Sequence, residues 1–454
     1  LENAFERKRV MAGKLNPDRN RAVSESEESR RRRSAYVWNT VGGLLMAFQS
    51  VIMLMVLTRV CDIATAGVFT LAYANANLFL NLGKYGVRNY QVSDVRARFS
   101  FLAYLRARAV STFAMLVVGG AYTLWCAISV GWSTEKTATV AVMLLFKAVD
   151  ALEDVFHGNY QQHDRLDVAS KVITARLGTL IVVFAGLIIA MRSLLMPLAI
   201  TTAFTALFFV GETLWARRFG LPVADGSTGE GLRAVWRETA TLLRECFPVF
   251  LAAFLLFYIG NAPKYAIDAA MDDAAQAYFG YIAMPVFVVG LLASFVYNPI
   301  IASLAEDWET RRAGRFARRL GVQALIIVGI TLVCILGALI CGIPVLGTLY
   351  NADLSPYRVD LLILLAGGGF LALATLLTMG ITIMRRQGLL VPGYAVVAVF
   401  AAVLSPWAVG LAGVDGASWI YLALMVVLTL WFTVVFALGV RRGDSLPFES
   451  LDPR

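Results

Sequence analysis

Long apolar segments separated by short polar ones fill the chain from Trp38 to Val440. An α-helix of about 20 apolar residues crosses a hydrocarbon core of about 30 Å. The pattern therefore predicts an all-α polytopic membrane protein with twelve transmembrane helices. The predicted spans are residues 36–60, 66–86, 107–130, 136–157, 170–191, 194–215, 246–267, 275–301, 320–342, 358–384, 389–412 and 416–440.

The longest polar connection after the amino-terminal tail separates six predicted spans from the other six. Two six-helix bundles around a central cavity are a common plan among transporters. The predicted organisation is a flexible basic tail (1–34), an N-terminal bundle (35–215), a cytoplasmic linker (216–245), a C-terminal bundle (246–440) and a cytoplasmic tail (441–454).

Composition agrees with this interpretation, since 59% of the residues are hydrophobic and only 16% are charged. A soluble domain is nearer half apolar and a quarter charged. The net charge of +9 does not indicate a nucleic-acid partner, because most of the 40 Lys and Arg residues lie in short connections on one side of the predicted spans. The positive-inside rule then places both termini in the cytoplasm.

Polar residues recur on one face of the second predicted span. Asn77, Asn81, Lys84 and Arg88 are four, three and four residues apart, a helical spacing. The face either binds neighbouring helices while its cations reach the membrane surface, or it forms the cationic wall of a transport cavity.

The fourth span carries a charged stripe on its predicted inner half. The stripe comprises Lys147, Asp150, Glu153, Asp154 and His157. It is either an ion-pair network near the cytoplasmic surface or a gate in which the acids are counter-charges for Lys84 and Arg88. The paired acids also resemble those of hydrolases, but no nucleophile, metal cluster or DxD motif lies beside them, so we expect no enzyme.

Further polar positions are candidates for cavity lining or gating. Arg59 lies near the outer end of span one, with Asp62 and Asp268 as acidic neighbours, and forms an interfacial anchor or an outer gate. Alternating access would require Asp150, Glu153, Asp154 and Asp268 to exchange partners among the basic residues. The other candidates are Asn39 and Gln49 in span one, Arg176 in span five, and Tyr258, Asn261 and Lys264 around Pro263 in span seven.

No cofactor or metal site is evident in the sequence. The five cysteines are scattered without a CxxC pair, and His157 and His163 have no metal-ligand arrangement. The chain also has no Walker loop or GxGxxG motif. Transport would therefore be driven by the substrate's own gradient or by a coupling ion, H⁺ or Na⁺.

Five segments resemble the polysaccharide-transporter (Wzx-type) family of the multidrug/oligosaccharidyl-lipid/polysaccharide (MOP) exporter superfamily. They are Ser34–Gly43, Leu57–Arg59, Ala66–Phe69, Gly86–Asp94 and Asn261–Asp268. The resemblance implies two six-helix bundles around a V-shaped cavity. It also implies flipping of undecaprenyl-(pyro)phosphate-linked oligosaccharides from the inner to the outer leaflet of the bacterial cytoplasmic membrane.

The resemblance further implies partners and binding residues. Membrane lipids and other polysaccharide-assembly membrane proteins would be partners. Related lipid II flippases use cavity arginines for the pyrophosphate, and Arg59, Lys84 and Arg88 are the matching positions. Lys147, Arg176 and Lys264 would extend this cationic cavity. Lipid II flippases usually have two additional helices, which disfavours a peptidoglycan precursor as the substrate.

Three alternatives remain open at this stage. A drug/cation antiporter of the same superfamily would carry buried carboxylates, whereas the deeper charges here are mostly basic. A membrane glycosyltransferase, polymerase or ligase would need a large catalytic outer loop. A passive assembly scaffold would leave the intramembrane cations without a role.

Overall fold

The computed structural model describes residues 17–94, 98–216 and 232–443, and every regular element within these ranges is helical. The N-terminal half contains α1 (Pro17–Val60), α2 (Ile63–Lys84), α3 (Val87–Ser93), α4 (Phe101–Ser129), α5 (Thr134–Gln162), α6 (Leu166–Met191) and α7 (Leu195–Ala216). The C-terminal half contains α8 (Leu232–Ala270), α9 (Asp273–Ala283), α10 (Val286–Tyr297), α11 (Ile301–Glu309), α12 (Ala313–Gly337), α13 (Ile343–Tyr350), α14 (Arg358–Ile383) and α15 (Leu390–Gly443).

The predicted twelve-span, all-α fold is confirmed. Ten helical segments of the described chain are long and apolar enough to cross a membrane. Two further crossings complete the set. The charged helix α5 has 29 residues, and α15 is divided at Gly413, whose φ of 58° and ψ of −128° suit only glycine.

Several predicted boundaries differ from the structure. Helix α1 begins at Pro17, so the described part of the expected flexible tail is helical. Glu27 and Glu28 each precede an arginine by four residues, a spacing that supports a helix. Helix α8 begins at Leu232, inside the expected linker. Residues 1–16, 217–231 and 444–454 lie outside the described ranges.

Prolines break the predicted eighth and ninth spans. Proline lacks an N–H group and clashes with the preceding turn. Pro285 separates α9 from α10, and a 3₁₀ turn over Asn298–Ile300 precedes α11. A π-helical segment, Ala338–Gly342, lies before Pro344. Both predicted spans are therefore helices interrupted near a proline.

Large apolar side chains are exposed on the outside of both bundles. Examples are Phe113, Trp125, Leu207, Ile340 and Trp407. Such exposure is unusual for a protein in water but expected where lipid covers the surface. We call the end at which α2 stops the inner end, because the basic connections predict that it faces the cytoplasm. The opposite end is the outer end.

Candidate functional site

A cavity of about 610 Å³ lies between the two bundles, and we call it the central cavity. Helices α1 and α2 form one wall, and α8, α9, α10, α14 and α15 form the other. Most lining residues are apolar. Its polar lining includes Ser50, Thr70, Tyr73, Asn77, Asn261, Lys264, Tyr297 and Thr375.

A second cavity of about 630 Å³ lies at the inner end, and we call it the inner vestibule. Its polar lining consists of Asn81, Lys84, Arg88, Asn89, Ser93, Asp154 and Gln161. Asn77 in the central cavity and Asn81 in the vestibule are one turn apart on α2. Phe257 and Ala253 are similarly related on α8. The two cavities therefore follow one another along the same pair of helices.

The break after α2 turns the chain towards the vestibule. Tyr85 and Gly86 both adopt left-handed backbone conformations, with φ of 49° and 69°. A Cβ at position 86 would lie only 3.0 Å from the Val249 side chain, which also favours glycine. Helix α3 restarts at Val87, and Arg88 donates to Gln161 at 3.1 Å. Because the chain turns at this break, Arg88 on α3 lies beside α5 although it follows the polar face of α2 in sequence.

Asp154 is the acceptor for three cations around the vestibule. Its Oδ2 binds Arg108 at 2.7 Å, and its Oδ1 lies 3.4 Å from Arg88 and 3.9 Å from Lys84. Arg108 is fully buried and also donates to the carbonyl of Gly83 at 3.0 Å. One carboxylate cannot neutralise three cations. The vestibule therefore keeps positive charge on the partly exposed Lys84 and Arg88 side chains.

Arg108 is a residue that the sequence reasoning missed. Hydropathy starts the third predicted span at residue 107, which makes Arg108 an inner-loop residue. In the structure α4 begins at Phe101, which places Arg108 two turns inside the helix. The signal available in the sequence was Ser100, whose side chain caps α4 by accepting from the N–H of Ala103.

Two further predicted cavity cations, Lys147 and Arg176, belong to an ion-pair network inside the N-terminal bundle. Lys147 binds Asp150 at 2.9 Å and lies over the ring of Tyr73. Arg176 binds Asp150 at 2.8 Å and Glu153 at 2.6 Å. In the structure Lys147 and Arg176 are buried and line neither cavity. That they extend the cationic wall stays a prediction. Their geometry matches the ion-pair alternative for the α5 stripe.

Lys264 is only partly buried and differs from these two buried cations. It lines the central cavity, and no described residue forms an ion pair with it. Asn261 lies one turn earlier, and its Nδ2 donates to the carbonyl of Phe257 at 3.0 Å. The side chain of Tyr258 stacks on Tyr265, with ring centroids 6.0 Å apart, and does not line the cavity. Lys264 is thus the single cation in the described lining of the central cavity.

An ion-pair cluster joins the two bundles at the outer end. Lys136 at the start of α5 binds Asp268 at 2.7 Å and also binds Asp273. The indole of Trp132 donates to Asp268 at 3.0 Å. We call these four residues the outer latch. In this conformation Asp268 therefore pairs with Lys136, because the first turn of α5 is the element that reaches α8. The hypothesis that Asp268 exchanges partners among the basic residues during transport stays a prediction.

Close helix contact accompanies the outer latch. A Cβ on Gly67 of α2 would overlap the carbonyl of Asp273, and a Cβ on Gly280 of α9 would overlap the side chain of Thr70. The two bundles are therefore held together at the outer end both by charge and by glycine-mediated packing. At the inner end, α8 also contacts the N-terminal bundle beside the vestibule, where Tyr85 stacks on Phe250 with ring centroids 4.4 Å apart and the hydroxyl of Tyr90 donates to Glu245.

The other candidates from span one lie away from both cavities. Arg59 is exposed at the outer end and donates to the carbonyl of Thr348 at 3.3 Å. Asn39 is exposed near the inner end. Gln49 is buried and contacts the sulfur of Met53, whereas its neighbour Ser50 lines the central cavity. Span one thus contributes a different polar residue from those expected.

A cluster of three ligand-bearing side chains also lies in the N-terminal bundle. One ligand atom each from Glu153, His157 and Glu212 lies within 4.8 Å of the other two. The sequence reasoning found no metal-ligand arrangement around His157. It missed this set because Glu212 is on α7, far along the chain, and an isolated glutamate in an apolar span gives no spacing signal.

Asp94 anchors the connection between α3 and α4, outside the membrane-spanning segments. Its oxygens accept from the N–H groups of Arg98 and Phe99, at 3.0 and 3.2 Å, and from the hydroxyl of Tyr104 at 2.8 Å. Partial burial alone would raise the pKa of Asp94. The three hydrogen bonds and the Arg98 charge together outweigh it and lower the pKa below its usual range.

No protein-family model matches this chain, and no curated protein matches its sequence. Several solved structures do match its fold. The lipid II flippase MurJ in an inward closed conformation aligns with a TM-score of 0.67 and 9% identity, covering 89% of this chain and 90% of that one. An inward-facing multidrug-resistance MATE transporter of the MOP superfamily aligns with a TM-score of 0.58 and 14% identity, covering 92% and 100%.

A mutant of the Vibrio cholerae MATE transporter VcmN aligns with a TM-score of 0.58 and 10% identity, covering 92% of this chain and 98% of that one. At such low identities these similarities show the fold alone. The chain therefore has the fold of MOP-superfamily transporters, with two helical bundles around a central cavity. The resemblance to the Wzx-type branch stays a prediction.

Proposed function

We propose that this protein is a flippase that moves undecaprenyl-(pyro)phosphate-linked oligosaccharides from the inner to the outer leaflet of the bacterial cytoplasmic membrane. The observation that carries the proposal is the inner vestibule, where three cations share one carboxylate. This vestibule leads along α2 and α8 to a mostly apolar cavity lined by Lys264, which has no ion-pair partner among the described residues.

The charge of the vestibule suits a phosphorylated headgroup. Arg108 already binds one oxygen of Asp154, so Lys84 and Arg88 are only weakly held, at 3.9 and 3.4 Å from the other oxygen. Phosphate oxygens accept charge-assisted hydrogen bonds, and a guanidinium presents two donors in a fixed plane. A pyrophosphate entering the vestibule would therefore take over these two cations.

The central cavity suits the next stage of the same substrate. Its volume of about 610 Å³ lies in the range of sites that enclose a small ligand or part of a larger one. Lys264 supplies a cation without a competing carboxylate among the described residues, and Asn77 and Asn261 supply amide oxygens for sugar hydroxyls. We propose that the phosphates pass from Arg88 to Lys264 as the sugars cross the cavity.

Alternating access supplies the direction of transport in this proposal. The outer latch keeps the outer end closed in the present conformation, while the vestibule lies at the inner end. Opening to the outer leaflet would separate Lys136 from Asp268 and Asp273. Both termini would lie in the cytoplasm, as the distribution of basic residues predicts.

A drug/cation antiporter is the second candidate, because MATE transporters share the fold. A cation-selective site would place a carboxylate in the central cavity. The described lining of that cavity instead contains Lys264, and the described carboxylates nearest to it along α8 belong to the outer latch. Repulsion between Lys264 and a cationic drug disfavours this function.

Complementation of a flippase-null bacterium tests the proposal. We expect Arg88→Ala and Lys264→Ala to lower export of the surface glycan at least about tenfold, the effect of losing about 1.4 kcal/mol of binding. Lys171→Ala is the matched control, since it removes an exposed lysine of α6 outside both cavities. Export at the wild-type rate by both cavity variants, at equal abundance, would refute the proposed binding site.

A further inference from the structure

A buried polar cluster in the N-terminal bundle takes no part in either cavity. Glu153 and His157 lie one turn apart on α5, and Glu212 faces them from α7. The exposed fractions of the three residues are 1%, 4% and 8%, so each is more than nine-tenths buried. None of them lines the central cavity or the inner vestibule. We call them the α5–α7 cluster.

The atoms that face each other in this cluster have no hydrogen-bond partners among the described residues. Glu153 Oε1, His157 Nε2 and Glu212 Oε2 are all buried and unsatisfied. His157 Nε2 lies 3.2 Å from Glu153 Oε1, which is close enough for a hydrogen bond after a small rotation. Buried polar atoms in native proteins are almost always satisfied, so three adjacent exceptions indicate a missing ligand or proton.

The charged groups packed around the α5–α7 cluster determine which missing ligand fits it. From α6, Arg176 binds Glu153 through its other oxygen, Oε2, and also binds Asp150. From α5, Lys147 binds Asp150 and Tyr160 lies beside His157. Glu212 has no ion-pair partner among the described residues. The next residue of α5, Asp154, binds Arg108 of α4, and Lys84 and Arg88 lie near the same carboxylate at the vestibule.

The charge balance distinguishes a proton from a metal ion. With a neutral imidazole, Lys147 and Arg176 offset two of the three carboxylates of Asp150, Glu153 and Glu212, which leaves one negative charge. One proton makes the group neutral. A divalent cation would leave it positive beside the cations around Asp154, and Na⁺ prefers oxygen to imidazole nitrogen. A buried group with uncompensated charge is costly, so one proton fits best.

We infer that the α5–α7 cluster is a proton-binding site in which Glu212 holds a proton donated to Glu153, and the Nε2–H group of His157 donates to the same carboxylate. This inference rests on the proposed transport function and deepens it by naming H⁺ as the coupling ion. The proton satisfies Glu153 Oε1 and Glu212 Oε2 together, and rotation of the imidazole satisfies Nε2. The present structure corresponds to the proton-loaded form.

Loss of this proton would affect the vestibule by changing the contacts of α5. An ionised Glu212 competes with Glu153 and Asp150 for Arg176, because three carboxylates then share two cations. Drawing Arg176 towards α7 releases one face of α5 at Glu153. The adjacent residue, Asp154, lies about 100° further around the helix and holds Lys84 and Arg88. A rotation of α5 therefore changes how strongly the vestibule cations are available to a phosphate.

The first test measures protons directly on the purified full-length protein in lipid nanodiscs. A pH-indicator dye reports proton release after a jump from pH 6 to pH 9. We expect Glu212→Gln to release one proton fewer per chain than the wild type. Glu306→Gln is the matched control, because it makes the same substitution at an exposed glutamate of α11, outside the cluster. Glu153→Gln is a second cluster variant should Glu212→Gln fail to fold, because the two remaining carboxylates would then balance Lys147 and Arg176 without a proton.

The second test follows conformation without transport. Spin labels at Ser129→Cys and Val359→Cys, in a cysteine-free background, report the distance between the outer ends of the two bundles. Both positions are exposed. We expect the wild-type distance distribution to change between pH 6 and pH 9. The Glu212→Gln protein should keep the pH 6 distribution at both values.

Distinct outcomes overturn the two proposals. Equal proton release by wild type and both cluster variants would overturn the proton site. So would binding of one Zn²⁺ per chain, lost in His157→Gln, without any difference in proton release. Glycan export by Glu212→Gln at the wild-type rate at every pH would remove proton coupling and leave the flippase standing. Proton release and the distance change without any glycan export by wild type would instead refute the flippase.

Discussion

The outer latch yields the most quantitative prediction. Lys136 is the only described cation that binds Asp268, and both side chains are almost fully buried, with exposed fractions of 10% and 6%. Replacing Lys136 with Met keeps most of the aliphatic volume but removes the charge. Asp268 then retains one donor, the indole of Trp132 at 3.0 Å, while Asp273 loses its partner.

The expected size of this effect follows from burial. Removing one partner of a buried ion pair costs about 3–5 kcal/mol, since the remaining charge is left in a poorly solvated place. Opening the outer end would hydrate Asp268 and relieve that cost. A shift of about 3 kcal/mol changes the ratio of open to closed molecules roughly 100-fold. We therefore expect Lys136→Met to populate the outer-open conformation.

The distance between labels at Ser129 and Val359 measures this shift. Lys136→Met should lengthen the mean distance relative to the wild type. Asp268→Asn should have a smaller effect because Lys136 keeps Asp273. Lys171→Ala is the control for loss of a lysine elsewhere. An unchanged distance distribution in Lys136→Met, with the protein folded, would show that the latch does not hold the outer end closed.

Three further changes test the packing and electrostatics around the site. Gly280→Val should wedge α9 away from Thr70 of α2 and lengthen the same label distance, and adding Thr70→Ala should reverse part of that change. Arg108→Met should lower the free energy of unfolding by about 3–5 kcal/mol, because only the more distant Lys84 and Arg88 would remain near Asp154. Thermal unfolding of the purified protein measures this loss, and Arg108→Lys is the milder comparison. The pKa of Asp94 is lower in the folded protein than in the unfolded chain, so the stabilisation that Asp94 provides is present above about pH 4 and is lost as the pH falls through the folded value. Asp94→Asn should therefore flatten the acid part of the curve of melting temperature against pH. An unchanged acid slope would contradict a lowered pKa for Asp94.

The fold was predictable because its signal is local. A transmembrane helix satisfies its own backbone hydrogen bonds, so hydropathy over about 20 residues identifies it without knowledge of its neighbours. The polar face of α2 was readable for the same reason, since Asn77, Asn81 and Lys84 follow the helical period. All three line a cavity in the structure. Helix ends were less predictable because capping and proline effects act over a few residues.

The spacing of residues along one helix is enough to identify the segments that cross the membrane and the polar face of α2. Which charges lack a partner depends instead on how the helices pack. Arg176 faces carboxylates of α5, whereas Lys264 faces a cavity, and nothing in their own helices distinguishes these two cations. The reason is physical: the energy of a buried charge depends on what packs against it, and those partners come from distant parts of the chain.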